Sequence, residues 1–148
     1  MISKLEKDIL LSLNNNGRKS FRKVAKEVGS STTSIYNNVK KLEKTGLIKG
    51  YIPLLNPEIL GYKLIAIITL RIKQSKTLKI QSEISKFPQV RAVYDITGNW
   101  DSILICNFKD RKDLDKFLKT RLSLLHVERF TTHIVLDTIK NDKRTPIL

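Results

Sequence analysis

The apolar positions of this chain follow two different periods. Through the first 46 residues the spacing is helical: Leu5, Ile9, Leu10 and Leu13, then Val24, Ala25 and Val28, then Ile35, Val39 and Leu42. Three amphipathic helices are predicted. The first runs to about Leu13 and is ended by Asn14-Asn15-Asn16-Gly17, the second is capped by Ser20, and the third opens on Ser31 after Gly29 and stops at Thr45-Gly46. Their expected small core is Leu5, Ile9, Leu13, Phe21, Val24, Val28, Ile35, Val39 and Leu42. The second and third helices, with a glycine turn between them, have the form of a helix-turn-helix. Leu47 to Leu55 reads as an extended segment broken by Gly50-Tyr51 and Pro53, suited to a wing or a linker strand.

From Lys63 the period changes. LIAIITLRI is a β-branched run of strand length, and Thr77 to Phe87 suits a helix with Leu78, Ile80, Ile84 and Phe87 apolar and Pro88 as its end. Val90 to Thr97 and SILICNF form a predicted hairpin around Gly98-Asn99-Trp100-Asp101. Asp110 caps a helix through Leu122, with Leu114, Phe117, Leu118 and Leu122 inward, and RFTTHIVLD from Arg129 is the last strand. The order β-α-β-β-α-β is that of the ferredoxin-like fold, with one helical layer on an antiparallel sheet. The expected class is therefore α+β: a helix-turn-helix domain over 1–50, a strand linker over 51–62, a ferredoxin-like domain over 63–140 and a tail over 141–148. Strands this apolar on both faces need cover on the helix-free side, so a homodimer is expected, and Ile68 serves as the position at which an introduced charge tests that face.

Charge adds to this picture. The 148 residues hold 28 Lys and Arg against 14 Asp and Glu, a net charge of +14, which favours binding to a polyanion through phosphate contacts. The outer face of the third helix carries Thr32, Thr33, Ser34, Tyr36, Asn37, Asn38, Lys40 and Lys41 behind the cap Ser31. With Arg18 of the preceding loop, these are the candidate DNA-binding residues. Asn37 and Asn38 have the amide that reads adenine in a bidentate contact; the other reading is that they touch only phosphate or water.

No stretch reaches the roughly 18 apolar residues of a membrane span, and the N-terminus has no signal-peptide core, so a soluble cytoplasmic protein without membrane association is expected. The single cysteine, Cys106, lies in the apolar run ILICNF and is expected to be a buried small hydrophobe. His126 and His133 are seven residues apart across a loop and a strand, and no glycine-rich phosphate loop is present. Neither a metal site, a cofactor nor a catalytic residue is implied.

Several stretches taken together resemble the Lrp/AsnC, or feast/famine, family of transcription regulators. They are Asp8-Ile9-Leu10 with Leu13, Asn16-Gly17-Arg18 with Ser20, Val24-Ala25 with Val28-Gly29-Ser30-Ser31, Val39-Lys40-Lys41-Leu42-Glu43 with Gly46-Leu47-Ile48, and Pro88-Gln89-Val90 with Thr97-Gly98 and Asp101. The resemblance spans about Ile2 to Lys140. It implies a winged helix-turn-helix joined to a ferredoxin-like effector and oligomerisation domain, dimers assembling into larger even-numbered oligomers, double-stranded DNA as partner and an amino acid as effector. It also implies that the turn Gly98, Asn99, Trp100 and Asp101 lines the effector cleft, its backbone NH groups meeting a carboxylate and Asp101 an ammonium. Thr131, Thr132 and His133 face the same cleft in this reading. As turn chemistry alone, the same four residues need no ligand.

The chain departs from the family where Asn38 replaces a common arginine and His126 a common glycine, so operator sequence and effector identity do not carry over. Two alternatives stand beside a sequence-specific regulator. A sirohaem-decarboxylase-like enzyme would draw on His126, His133 and Arg129, and a sequence-indifferent chromatin protein would draw on the +14 charge.

Overall fold

The computed structural model describes residues 2–73, 76–125 and 127–147. The chain divides into two compact units, Met1–Leu54 with Lys140–Leu148, and Leu55–Ile139. The tail, expected as a separate segment over 141–148, groups with the helical unit.

The helical unit contains α1 (Lys4–Asn15), α2 (Phe21–Val28) and α3 (Thr32–Lys44). Each begins where a serine hydroxyl can accept a hydrogen bond from an otherwise unpaired NH of the first turn: Ser3 from Glu6, Ser20 from Lys23 and Ser31 from Ser34. Gly29 ends α2 in the left-handed conformation, at φ 68°, which a side chain would strain. Ile9, Leu13, Val24, Ala25, Ile35, Val39 and Leu42 are buried together, with Leu5, Phe21 and Val28 packed against them. Ala25 is the one buried apolar residue that the expected core omitted, because a methyl group adds little to a hydrophobic pattern.

Two polar contacts tie these helices together. Lys19 Nζ and Ser12 Oγ both donate to Glu27 Oε2, each at 2.6 Å, joining α1, α2 and the loop between them. Lys41 of α3 donates to Glu6 of α1 at 2.9 Å. The tail adds to this unit through Asn14 Nδ2, which donates to the Thr145 carbonyl at 3.0 Å, and Arg144, which reaches Asn15 Oδ1 at 3.4 Å while its fork is held by Asp142.

Residues 45–63 carry no strand. The linker expected as a strand over 51–62 makes no strand pairing among the described residues, as an extended segment does only beside a neighbour that meets its NH and carbonyl groups. Tyr51, Ile52, Leu54 and Leu55 are all exposed.

The second unit contains β1 (Leu64–Arg71), α4 (Thr77–Ile84), β2 (Val90–Asp95), β3 (Ser102–Phe108), α5 (Arg111–Phe117) and β4 (Arg129–Ile134). A wide π turn, Leu118–Leu122, and a 3-10 turn, Ser123–Leu125, extend α5. The sheet order is β2-β3-β1-β4 and every pairing is antiparallel, as the split β-α-β pattern requires. Helix α4 stops at Ile84, and 85–87 complete its end as a turn before Pro88. Leu78, one of the apolar positions that suit this helix, is 81% exposed: Ile80 and Ile84 give this short helix its buried face.

The sheet has two unlike faces. Ala66, Ile68 and Leu70 of β1 and Leu104, Cys106 and Phe108 of β3 pack with Ile80, Ile84, Leu114, Phe117 and Leu122 into one core. Side chains alternate along a strand, so Ile65, Ile67 and Thr69 leave on the helix-free side, opposite Asn107, Ile105 and Ile103 respectively. Ile68 is therefore a core residue, and the expectation that it tests the helix-free face is corrected: Ile67 and Ile105 occupy that face. Cys106 is fully buried as expected, and desolvation pushes its thiol up to about 12, which removes its nucleophilic form at neutral pH.

Candidate functional site

The helical unit presents α3 on its surface. Ile35, Val39 and Leu42 anchor the inner side of the helix, which leaves Thr32, Thr33, Tyr36, Asn37, Lys40 and Lys41 exposed. These residues are not equivalent in their contacts. Ser31 is occupied as the cap, 3.1 Å from the Ser34 NH. Asn38 turns back along its own helix, with Nδ2 donating to the Ser34 carbonyl at 2.9 Å. Asn37 makes no hydrogen bond of its side chain among the described residues, so its amide is open to solvent.

Tyr36 packs edge-on against Phe21 of α2, with ring centres 6.1 Å apart, and the Lys40 ammonium stands 6.0 Å from the Tyr36 ring centre. Lys40 also pairs with Glu43 at 3.1 Å. Arg18 is exposed in the loop before α2, its backbone NH held by Asn16 Oδ1 at 2.9 Å.

Lys41 has a partner that the helix pattern did not reveal. Its ammonium meets Glu6, a residue only 5% exposed. The Ser3 backbone NH, then Lys41, then the Ser3 hydroxyl hold the Glu6 carboxyl down at a pKa of about 2. The signal for half of this was legible, since Ser3 and Glu6 are spaced as a capping box.

In the second unit, the turn between β2 and β3 is held from below. The Asp101 NH donates to the Leu70 carbonyl at 2.9 Å, Asp101 Oδ2 accepts from the Ile72 NH at 2.7 Å, and Asp101 Oδ1 lies 3.4 Å from Arg71 Nη1. Both carboxylate oxygens are engaged within the fold. Arg71 Nη1 also reaches the Asn99 carbonyl at 3.4 Å. Gly98 has φ 110°, and no atom lies within 4 Å of the position a Cβ would take, so the backbone there is open to approach. Trp100 is half-buried, with the Arg129 guanidinium 4.7 Å from its ring centre.

The three β4 candidates do not lie together. Thr131 and His133 stand opposite Thr69 and Ile67 on the helix-free side, whereas Thr132 stands opposite the core residue Ile68. The expectation that all three face one cleft is corrected by strand alternation, which separates consecutive residues onto opposite faces. The hydroxyl of Thr132 is buried without a hydrogen-bond partner. The haem-type alternative drew on His126, which lies outside the described residues, on His133, which is exposed, and on Arg129, which is stacked on Trp100. Among the described residues no group of three or more His, Cys, Asp or Glu side chains is placed to hold a metal ion.

A helix-turn-helix with a polar outer face, followed by a sheet domain with an open turn, defines a class of two-domain DNA-binding regulators. Comparison with known proteins gives the family. The winged helix-turn-helix DNA-binding profile matches residues 2–49, and the Lrp/AsnC ligand binding domain profile matches residues 65–145. An uncharacterized HTH-type transcriptional regulator of Pyrococcus abyssi is 41% identical over 144 residues, covering 97% of this chain and 98% of the relative. The HTH-type transcriptional regulator Ptr1 of Methanocaldococcus jannaschii is 34% identical over 148 residues, covering 99% and 100%. Among solved structures, a transcriptional regulator of Neisseria meningitidis in complex with L-Met is 28% identical with a TM-score of 0.93, covering 99% of this chain and 97% of that one. The chain belongs to the Lrp/AsnC family and is a DNA-binding transcription regulator with a ligand-binding domain. The relatives are named as regulators of transcription and not as enzymes. No helix among the described residues is long and apolar enough to cross a membrane.

Proposed function

We propose that this protein is a sequence-specific regulator that reads duplex DNA with α3, acts as a homodimer or a larger even-numbered assembly, and responds to an amino acid at the Gly98–Asp101 turn. The observation that carries the DNA reading is the outer face of α3, where exposed Tyr36, Asn37 and Lys40 stand side by side over a buried Ile35-Val39-Leu42 stripe. Tyr36 and Asn37 contact bases, while Arg18, Ser31, Thr32, Thr33, Ser34 and Lys40 contact the phosphate backbone. Asn38 and Lys41 act from behind by holding α3. The protein works in the cytoplasm, where its DNA is.

The helix-free face supports the homodimer. Ile65, Ile67, Ile103 and Ile105 line it, and the oxygens of Thr69 and Asn107 on the same face are buried without partners. A second copy packed there shields the isoleucines and offers those oxygens donors. The ligand reading is supported by the family domain over 65–145, by the L-Met bound to the Neisseria relative and by the open backbone at Gly98. Gly98, Asn99, Trp100, Thr131 and His133 contact the ligand. Asp101 shapes the turn, because its oxygens are already engaged.

Selection of bound sites from a random DNA pool tests this reading. A dimer that places two α3 helices in successive major grooves is expected to enrich a pseudo-palindrome with half-sites roughly 10 bp apart, or a multiple of that. Enrichment of no motif, with unrelated duplex competing equally at moderate salt, would instead assign the protein to the sequence-indifferent chromatin class that its charge of +14 also fits.

A further inference from the structure

The Gly98–Asp101 turn is flanked by two arginines whose placement defines a charge preference. Arg71 at the end of β1 and Arg129 at the start of β4 are directly opposed on the ladder, so both side chains leave on the same face. Like charges at directly opposed positions repel. Arg71 is offset by Asp101 at 3.4 Å and by the Asn99 carbonyl. Arg129 has no acidic partner among the described residues. Its guanidinium lies 4.7 Å from the centre of the Trp100 ring, and stacking on an aromatic face leaves the guanidinium edge free to donate. Glu128 is next to it in the chain, yet only its backbone NH is engaged, by the Arg71 carbonyl, and it forms no ion pair with either arginine. Two guanidinium groups and one already-engaged carboxylate leave a local surplus of positive charge.

We infer that this turn selects a dicarboxylate anion, either an acidic amino acid or its deaminated analogue, over neutral aliphatic and cationic amino acids. This rests on the reading of the turn as the ligand site. One ligand carboxylate meets the open backbone beside Gly98, and the other takes the free fork of Arg129, whose planar donors match a carboxylate in two parallel hydrogen bonds. A ligand ammonium gains little, because Asp101 already accepts from the Ile72 NH and from Arg71. A lysine or arginine ligand would bring a third cation beside Arg71 and Arg129. The neutral side chains of leucine and methionine would leave the Arg129 fork unmet.

The test is calorimetric titration of the full-length protein with L-aspartate, L-glutamate, glutarate, L-leucine, L-methionine, L-lysine and inorganic phosphate, with Trp100 emission as a second readout. The acidic ligands are expected to saturate with higher affinity than leucine, methionine or lysine. Arg129→Ala is expected to weaken them about tenfold or more, the loss of a charged hydrogen bond, and Arg129→Lys to weaken them less. Circular dichroism checks that both variants are folded. Glutarate binding as tightly as glutamate assigns the deaminated acid, and its failure to bind assigns the acidic amino acid; either outcome supports the charge preference. Leucine or methionine binding more tightly than glutamate, unchanged by Arg129→Ala, overturns the preference but keeps the turn as an amino-acid site. Phosphate binding as tightly as glutamate overturns the carboxylate assignment. Absence of binding by every compound removes the ligand site itself.

Discussion

Asn37 and Asn38 are adjacent in the chain but about 100° apart around the helix, and this separates their roles. The amide of Asn38 is bonded to its own helix at Ser34, whereas that of Asn37 is open. Asn37→Ala is therefore expected to flatten base preference at one operator position by about 1 to 3 kcal/mol, while Asn38→Ala leaves preference unchanged. Affinities for operators varied one position at a time check this. Glu6 supplies a pH-dependent contribution. Its pKa in the folded chain is about 2, below the ordinary value of 4.5, so its stabilising effect is present above about 4.5 and is lost as the pH falls towards 2. Urea unfolding followed by helical ellipticity between pH 2.5 and 6 is expected to show stability declining through this window. Glu6→Gln is expected to flatten that decline, and an unchanged profile would remove Glu6 as its source.

Single elements divide into those held by local chemistry and those held by neighbours. Helix α3 is of the first kind at its start: Ser31→Ala removes the cap and is expected to cost about 1 kcal/mol in unfolding free energy, lowering DNA affinity for all sequences alike. Strand β1 is of the second kind. Ile67→Asp places a carboxylate on the helix-free face, so in sedimentation at micromolar concentration the parent is expected to run as the proposed dimer and the variant as a folded monomer. Ile68→Asp places the same group in the core, 0% exposed, and is expected to unfold the domain instead. A dimeric Ile67→Asp protein would rule out that face as the interface. Over 51–62, Tyr51 and Pro53 among apolar residues suit a linker or edge strand, but whether such a segment pairs depends on what lies alongside it.

At the scale of the whole molecule, the backbone passes between the two units twice, after Leu54 and after Ile139. The helical unit is thus completed by the last residues of the chain. Deleting 140–148 is expected to lower the stability of that unit by about 1 kcal/mol, through loss of the Asn14–Thr145 and Asn15–Arg144 contacts, and to leave the sheet unit unaffected. Thermal unfolding followed separately by helical ellipticity and by Trp100 emission distinguishes the two.

The sequence by itself determined the order of the helices and of the four sheet strands, the serine caps Ser20 and Ser31, most of the helical core and the family resemblance, because period, capping residues and glycine turns are properties of neighbours in the chain. It determined which residues stand on the outside of α3 for the same reason. Contacts between residues far apart were decided by tertiary structure alone. Glu6 and Lys41 are 35 residues apart, Arg71 and Asp101 are 30 apart, and the tail meets α1 from 131 positions away. No local pattern encodes such pairs. Which face of β1 is core is likewise undecided in a run where isoleucine occupies both faces, until the helices cover one of them. The Gly98–Asp101 turn shows both sides of this division. Its glycine and its position between strands are legible, but the arginines that set its charge come from two other strands and meet only because the sheet order places β1 beside β4.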